Sequence, residues 1–457
     1  MHKTFHIVTF GCQMNKLDSE LLTGALQSRG FELVSDPGRA GVVIYNTCSV
    51  RQHAEDRVFS HLGAWRQRAR KDPDFTLVVI GCMAQRLGER IAERFDHVKL
   101  ICGTRAFLRV PECLERIALT GQRVVALEDG LLPFDRAAQF RTEPHHAYVS
   151  VMRGCDNFCS YCIVPYVRGR EVSRPPGEIL DEVRRLCDNG VVEITLLGQS
   201  ISAYGRALGQ AVCLASLLAQ VNAVAGLRRI RFLTSHPRDM SEEILRAVSN
   251  LDKVCEHIHM PAQSGSDAVL ARMNRGYSRQ HYLRLIEAGR RLVEGLEFSS
   301  DFIVGFPGET AEDFELTLSL LKEVGFQQSF VFRYSPREET RAARWPDDVP
   351  DCEKRQRQQT LLSAQARVDT RRRACLVGQT VEVMSDGPNR ADPRCGQFIG
   401  RTRQNDIVVF SAEDAPAGTV CPVLVEASTT LTLFGRGLTQ RTASGSRLPG
   451  GPCSAGG

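Results

Sequence analysis

In the stretch RGCDNFCSYCIVPYVRGR, Cys155, Cys159 and Cys162 stand four and then three positions apart. Thiolates are soft ligands, and a CxxxCxxC run brings three of them within reach of one metal centre, as an iron–sulfur cluster requires. A structural zinc site needs a fourth cysteine or histidine at comparable spacing. The candidates His145 and His146 lie upstream, beyond the apolar run AYVSVM. A [4Fe–4S] cluster held by three cysteines has one iron without a protein ligand, open to a small molecule.

A second set is dispersed. Cys12 follows HIVTFG, Cys48 follows VVIYNT and Cys82 follows TLVVIG, each just past the carboxyl end of a predicted parallel strand. In an open α/β sheet those loops line one crevice, where ligands bind. Helix N-termini aimed into that crevice favour thiolates and any anionic cluster they hold. Taken singly, each of these cysteines fits a small buried apolar site equally well. Core packing alone does not choose the same topological place three times. Cys102, in VKLICG, also follows a strand and is either a fourth ligand or a core residue. Cys113, Cys187, Cys213 and Cys255 lie in apolar patterns and read as core.

The elements that carry these cysteines fall into three regions. Residues 1–140 alternate short β-branched runs with helical segments such as DSELLTGALQSRG, the pattern of a parallel α/β sheet. Residues 141–375 repeat the alternation six times: AYVSVM, VEITLLG, RRIRFLT, EHIHMP, FSSDFIVG and QQSFVFRYS are strands, so a partial (β/α) barrel with its chemistry at the carboxyl ends is expected. A basic helix over Glu353–Leu376 reads either as a phosphate-tracking element or as a solvated linker. Residues 376–440 read as a small antiparallel β-barrel, and the Gly/Ser/Pro-rich tail 441–457 as disordered.

Composition agrees with several globular domains: 457 residues, 42% hydrophobic, 24% charged, net charge +5. That charge permits a nucleic-acid partner without requiring one. No run approaches the roughly 18 apolar residues of a membrane helix. The start, MHKTFHIVTFGCQ, lacks a signal-peptide layout. A cytoplasmic protein is expected. In that reducing compartment the sixteen cysteines are metal ligands, catalytic groups or core residues rather than a disulfide scaffold.

With Tyr161 before its last cysteine and six β/α units behind it, CxxxCxxC resembles the radical S-adenosylmethionine (SAM) superfamily. A three-cysteine N-terminal region, that core and a small terminal barrel together resemble the radical-SAM methylthiotransferase family, whose terminal barrel is the TRAM domain. FGCQMNKLDSE, NTCSVR, GCMAQR, GCDNFCSYCIVPYVRGRE, HMPAQSGSDAVLARMNRGYSR and DFIVGFPGET resemble the branch acting on isopentenyladenosine in tRNA. The resemblance implies two [4Fe–4S] clusters, one on Cys155, Cys159 and Cys162 that cleaves SAM to a 5′-deoxyadenosyl radical, the other on Cys12, Cys48 and Cys82 that carries the sulfur. A second SAM would supply the methyl group.

The resemblance also implies partners: a tRNA anticodon stem-loop, an electron donor such as flavodoxin or ferredoxin, and a sulfur donor, with the enzyme a monomer. SAM contacts are assigned to Tyr161, to Gly198 and Gln199 where the superfamily often has a Gly-Gly-Glu-like element, and to Gln263 and Asp301 near later strand ends. Turn and cap hydrogen bonding is the alternative for Gln263 and Asp301. Arg168, Arg170 and Arg174 are read as SAM or phosphate contacts, or as arginines paired to Glu171 or Glu178. Phe398, Arg401 and Arg403 are RNA candidates on the terminal barrel, with barrel core and surface as the alternative. Two other functions stay open: methylthiolation of threonylcarbamoyladenosine or of a ribosomal protein, and a non-catalytic iron–sulfur protein that binds RNA.

Overall fold

Short β-branched runs bounded by glycine and turn residues become the first sheet. In the computed structural model, which describes residues 3–49, 52–127, 140–209, 211–390 and 396–438, six parallel strands take the order β2-β1-β3-β4-β5-β6. They are β1 (Thr4–Thr9), β2 (Glu32–Leu33), β3 (Val42–Thr47), β4 (Thr76–Gly81), β5 (Val98–Cys102) and β6 (Val124–Ala126). β3 and β4 are buried along their whole length, which is why both read as unbroken apolar runs rather than alternating ones. The order turns back between β1 and β3, so the crevice of this sheet opens at their carboxyl ends.

The second region holds β7 (His146–Ser150), the short pair β8 (Met152–Arg153) and β9 (Val172–Ser173), then β10 (Glu193–Leu197), β11 (Arg229–Leu233), β12 (His257–His259), β13 (Glu297–Val304) and β14 (Gln328–Arg333). Two parallel three-stranded sheets, β11-β10-β7 and β12-β13-β14, are joined by a bridge from Ile230 to Val254. The result is an open six-stranded barrel. Alternate residues such as Val149, Ile194, Ile230, Phe298 and Phe302 enter the apolar layer shared with the helices. The other residues face inward and pair with one another: His146 with Thr195 at 2.9 Å, Arg231 with Glu193 at 2.8 Å and His259 with Asp301 at 3.5 Å.

The carboxyl mouth of this barrel is covered by the first region. Tyr148 and the last residues of β10 and β11, Leu197 and Leu233, join an apolar cluster with Leu17 and Leu21 of the helix Gln13–Ser28 and with Phe107.

The opposite end receives the closed five-stranded barrel, β15 (Thr380–Pro388), β16 (Gln397–Thr402), β17 (Ile407–Ser411), β18 (Val420–Ser428) and β19 (Thr432–Gly437). Its pairs are antiparallel except β17 with β19, which run parallel. Arg229 donates to the Arg401 carbonyl and Arg231 to those of Thr402 and Arg403, each at 2.8 Å. The long basic helix, Asp351–Ala374, is neither a solvated linker nor an open phosphate track over most of its length. Lys354 pairs with Asp347, Arg357 with Glu309, and Arg372 with Glu297 and Asp406, which fastens helix, barrel and terminal barrel together. Arg355, Arg367 and Arg371 remain exposed. Among the described residues no helix is long and apolar enough to cross a membrane. The tail expected to be disordered lies outside the described residues.

Candidate metal centres and cofactor site

The switch point of the first sheet gathers the dispersed cysteines. Cys12 stands at the N-cap of the helix Gln13–Ser28, Cys48 follows β3 directly, and Cys82 opens the helix Cys82–Arg94 directly after β4. Gly11, at φ +115°, is what lets them approach: a Cβ there would come within 2.6 Å of Cys48 Cβ and 3.1 Å of its Sγ. Asn15, wholly buried, knits the floor by donating to the Phe10 carbonyl at 2.9 Å and the Thr47 carbonyl at 3.0 Å. Cys48 and Cys82 are buried while Cys12 is exposed, so the site has an open side. Cys102 is no part of it: fully buried, its thiol has Cys113 and Arg109 as its charged neighbours.

The other trio lies in the loop after β8. Cys155 donates its N–H to the Gly169 carbonyl at 3.1 Å, closing the loop at its base. Gly154 holds φ +77°, and a Cβ there would run into the Arg170 carbonyl. Burial pushes the Cys155 thiol up to about 11 and the Cys162 thiol up to about 12, and Cys159 adds to both. Thiols held protonated in this way are a donor set that a multivalent cationic centre reverses. Burial likewise raises the Cys82 thiol, with Arg168 working against it and Cys12 and Asp18 adding to it. Three soft donors carried on neighbouring or single loops fit an iron–sulfur cluster at each place. Among the described residues no three His, Cys, Asp or Glu side chains are already gathered into a metal-holding group.

The strand ends around this loop are strained and unsatisfied. Phe158, Thr234 and Gln263 hold φ of +45°, +71° and +68°, conformations that non-glycine residues adopt at a cost of order 1–3 kcal/mol each. Gln199, just past β10, has neither end of its buried amide paired, and Ser235 Oγ and His236 Nε2, past β11, are likewise without partners. Burial and the nearby Arg275 push the His236 imidazole down to about 2, so it is neutral. Buried polar groups are ordinarily hydrogen-bonded, and these three fit the polar groups of a bound ligand.

Of the expected SAM contacts, Gly198 follows β10 and packs against Met152. Gln263 uses its main chain as a bridge to β13, donating to the Asp301 carbonyl at 2.8 Å. The Asp301 carboxylate faces the lumen beside His259, and Tyr161 is half-buried at the cluster loop against Phe306.

Two arginines carry more than their sequence context suggests. Arg275, in the quoted MNRGYSR motif, places Nη1 3.5 Å from Cys159 Sγ and 3.5 Å from the Tyr161 hydroxyl, while Nη2 donates to the Pro261 carbonyl at 2.8 Å. Arg168, expected as a SAM or phosphate contact or beside Glu171 or Glu178, turns toward the other trio: Nη2 donates to Asn15 Oδ1 at 2.8 Å and meets Asp18 Oδ2 at 3.0 Å. Arg174 is buried on Glu182 at 2.6 Å, and Arg170 is exposed on Asp156. The terminal-barrel RNA candidates have partners within the protein. Phe398 lies against Phe410, Arg403 grips Glu256 at 2.6 Å and Arg401 faces Asn405.

Residues 4–103 match the uncharacterized protein family UPF0004, and residues 149–321 match the Radical SAM superfamily. The tRNA-2-methylthio-N(6)-dimethylallyladenosine synthase of Moorella thermoacetica is 44% identical over 436 residues, which cover 95% of this chain and 98% of that protein. The chain belongs to that family. The synthase of Clostridium novyi is also 44% identical, over 90% of this chain and 91% of its own. Among solved structures, the radical S-adenosylmethionine methyltransferase TsrM from Kitasatospora setae, with cobalamin and a [4Fe–4S] cluster bound, superposes with a TM-score of 0.53 at 16% identity, over 75% of this chain and 77% of its own. That likeness is one of fold alone.

Proposed function

We propose that this chain attaches a methylthio group to carbon 2 of isopentenyladenosine in the anticodon stem-loop of tRNA, with SAM as radical source and methyl donor. Cys155, Cys159 and Cys162 hold one [4Fe–4S] cluster, and Cys12, Cys48 and Cys82 hold the other. When bound, the clusters supply the electron that splits SAM and the sulfur that is transferred. An aromatic C–H bond is too strong for acid or base groups, which is why a cofactor must carry that step while the protein positions and shields.

The observation that carries this reading is the pairing of the two trios under one cover. The loop of Cys155, Cys159 and Cys162 runs straight into the helix Val164–Arg168, whose Val167 packs with Ile163 on Cys82. The apolar contact of Tyr148, Leu197 and Leu233 with the helix Gln13–Ser28 keeps water from the mouth between them. Around that mouth, Gln199, Ser235 and His236 offer unpaired polar atoms for SAM, Tyr161 lines the loop, and Gly198, Gln263 and Asp301 complete the bed. Arg275 fixes Cys159 against the end of β12.

The division into units at residues 1–140, 141–375 and 376–440, the TRAM character of the last, a monomeric cytoplasmic enzyme, a flavodoxin- or ferredoxin-like electron donor and a separate sulfur donor belong to the same proposal. Nucleoside analysis tests the substrate. tRNA from a strain lacking this gene should lose methylthio-isopentenyladenosine and regain it on complementation; its persistence in the deletion strain sinks the assignment.

A further inference from the structure

The proposed chemistry does not use the buried cation beside the N-terminal cysteines. Arg168 ends the short helix that leaves the CxxxCxxC loop, and its side chain is only 5% exposed. It is not a solvated surface charge. Its guanidinium is held by Asn15 Oδ1 at 2.8 Å and Asp18 Oδ2 at 3.0 Å, both on the helix that Cys12 caps. The Asp18 carboxylate is shared with Arg153 at 3.3 Å. Its other charged neighbours include the thiols of Cys82 and Cys12, and Arg153.

A buried guanidinium is costly unless its charge is answered, and it does not deprotonate. A cluster on three thiolates is anionic, so the two needs match. The helix that carries Arg168 is also pinned at its own end, because Thr104 Oγ1 of the first region donates to the Val167 carbonyl. The side chain therefore spans from the loop of one trio to the floor of the other, and its place is fixed at both ends.

We propose that Arg168 is a positioning residue for the cluster on Cys12, Cys48 and Cys82: it supplies a fixed positive charge beside that cluster and sets its place relative to the loop of Cys155, Cys159 and Cys162. This rests on the assignment of the N-terminal trio as a cluster site. Net charge and hydrogen bonding near the sulfurs are among the levers that set a cluster's reduction potential. Loss of the cation makes the cluster harder to reduce. Lysine keeps the charge but not the planar fork that reaches Asn15 and Asp18 together.

The test uses the full chain with Cys155, Cys159 and Cys162 replaced by alanine, so that the N-terminal cluster alone is read. Iron and sulfide are counted and the midpoint potential is followed by electron paramagnetic resonance, with Arg168 intact, as Arg168→Gln and as Arg168→Lys. The expected result is a potential shifted to more negative values, or iron lost, in Arg168→Gln, with Arg168→Lys recovering toward the intact chain. Wild-type iron and potential in Arg168→Gln would overturn the proposal, as would equal changes in the Gln and Lys variants, which would mean packing rather than charge. Failure of the chain with Arg168 intact to hold any cluster is a separate outcome, and it would remove the cluster assignment itself along with this inference.

Discussion

At the scale of single residues, a cysteine is defined by what stands beside its sulfur. Cys82 and Cys102 both sit at strand ends and both are buried. Cys82 faces Arg168, Cys12 and Asp18, whereas Cys102 faces Cys113. Strand-end placement is visible in the chain and singles out one crevice, but it does not distinguish those two. Arg275 is not singled out in the chain, and Arg168 only as a contact for SAM, phosphate or a nearby glutamate, because their actual partners lie 116 and 153 positions away. Alanine in place of Cys155, Cys159 and Cys162 should lower iron and sulfide from two [4Fe–4S] clusters per chain to one. Loss of all iron would mean that the N-terminal trio is not an independent site. Arg275→Ala leaves the Pro261 carbonyl with only the longer hydrogen bond from the Tyr277 hydroxyl at 3.4 Å, and Cys159 unsupported. The lost hydrogen bond from a charged donor costs about 1.5–3 kcal/mol, so a lower melting temperature and depleted iron at the radical cluster should appear together; a variant with wild-type values of both contradicts the role.

Among the elements, those with clear periodicity or unbroken apolar runs are readable, and those below that length are not. β2 and β6 span two and three residues, too short for a pattern to register. The basic helix is recognisable as a helix, but its charges meet acids from distant strands, so sequence does not show that they are spent on packing. The cluster loop is the element most exposed to a small change. A methyl group at Gly154 must enter the space of the Arg170 carbonyl at a backbone angle that L residues resist. Gly154→Ala should therefore fold with an opened loop and little radical-cluster iron while keeping the N-terminal cluster. Wild-type absorbance and iron content in that variant would show that the loop closure is not needed.

For the whole molecule, the architecture puts one unit over each end of the open barrel: the first sheet over the mouth where the cysteines meet, the terminal barrel over the amino ends of the strands. Three regions and their fold classes are apparent from alternation of strands and helices, but their docking is not, since it depends on side chains such as Arg229, Arg231 and Arg403 reaching carbonyls and carboxylates across units. One of these joints is pH-sensitive. His145 Nε2 lies 3.2 Å from Asp386 of the terminal barrel. Burial works against the charged imidazole, yet Asp386, with Glu143 and Glu193 behind it, raises its affinity for the proton. A raised folded value means stabilisation that is fully present below about pH 6.5, the unfolded value, and that fades as pH rises through the folded one. The melting-temperature gap between the wild type and Asp386→Asn should be widest at the acidic end and close toward alkaline pH. A gap that stays constant would assign the joint to packing alone.

The central claim is that two cysteine trios do different parts of one reaction. Anaerobically reconstituted protein given SAM, a strong reductant and an anticodon stem-loop containing isopentenyladenosine tests it most directly, with both 5′-deoxyadenosine and the methylthio nucleoside quantified. The wild type should form both. Alanine at Cys155, Cys159 and Cys162 should abolish both, and alanine at Cys12, Cys48 and Cys82 should abolish the methylthio nucleoside while 5′-deoxyadenosine still forms. Methylthio product from the chain lacking the N-terminal trio would contradict the division of labour.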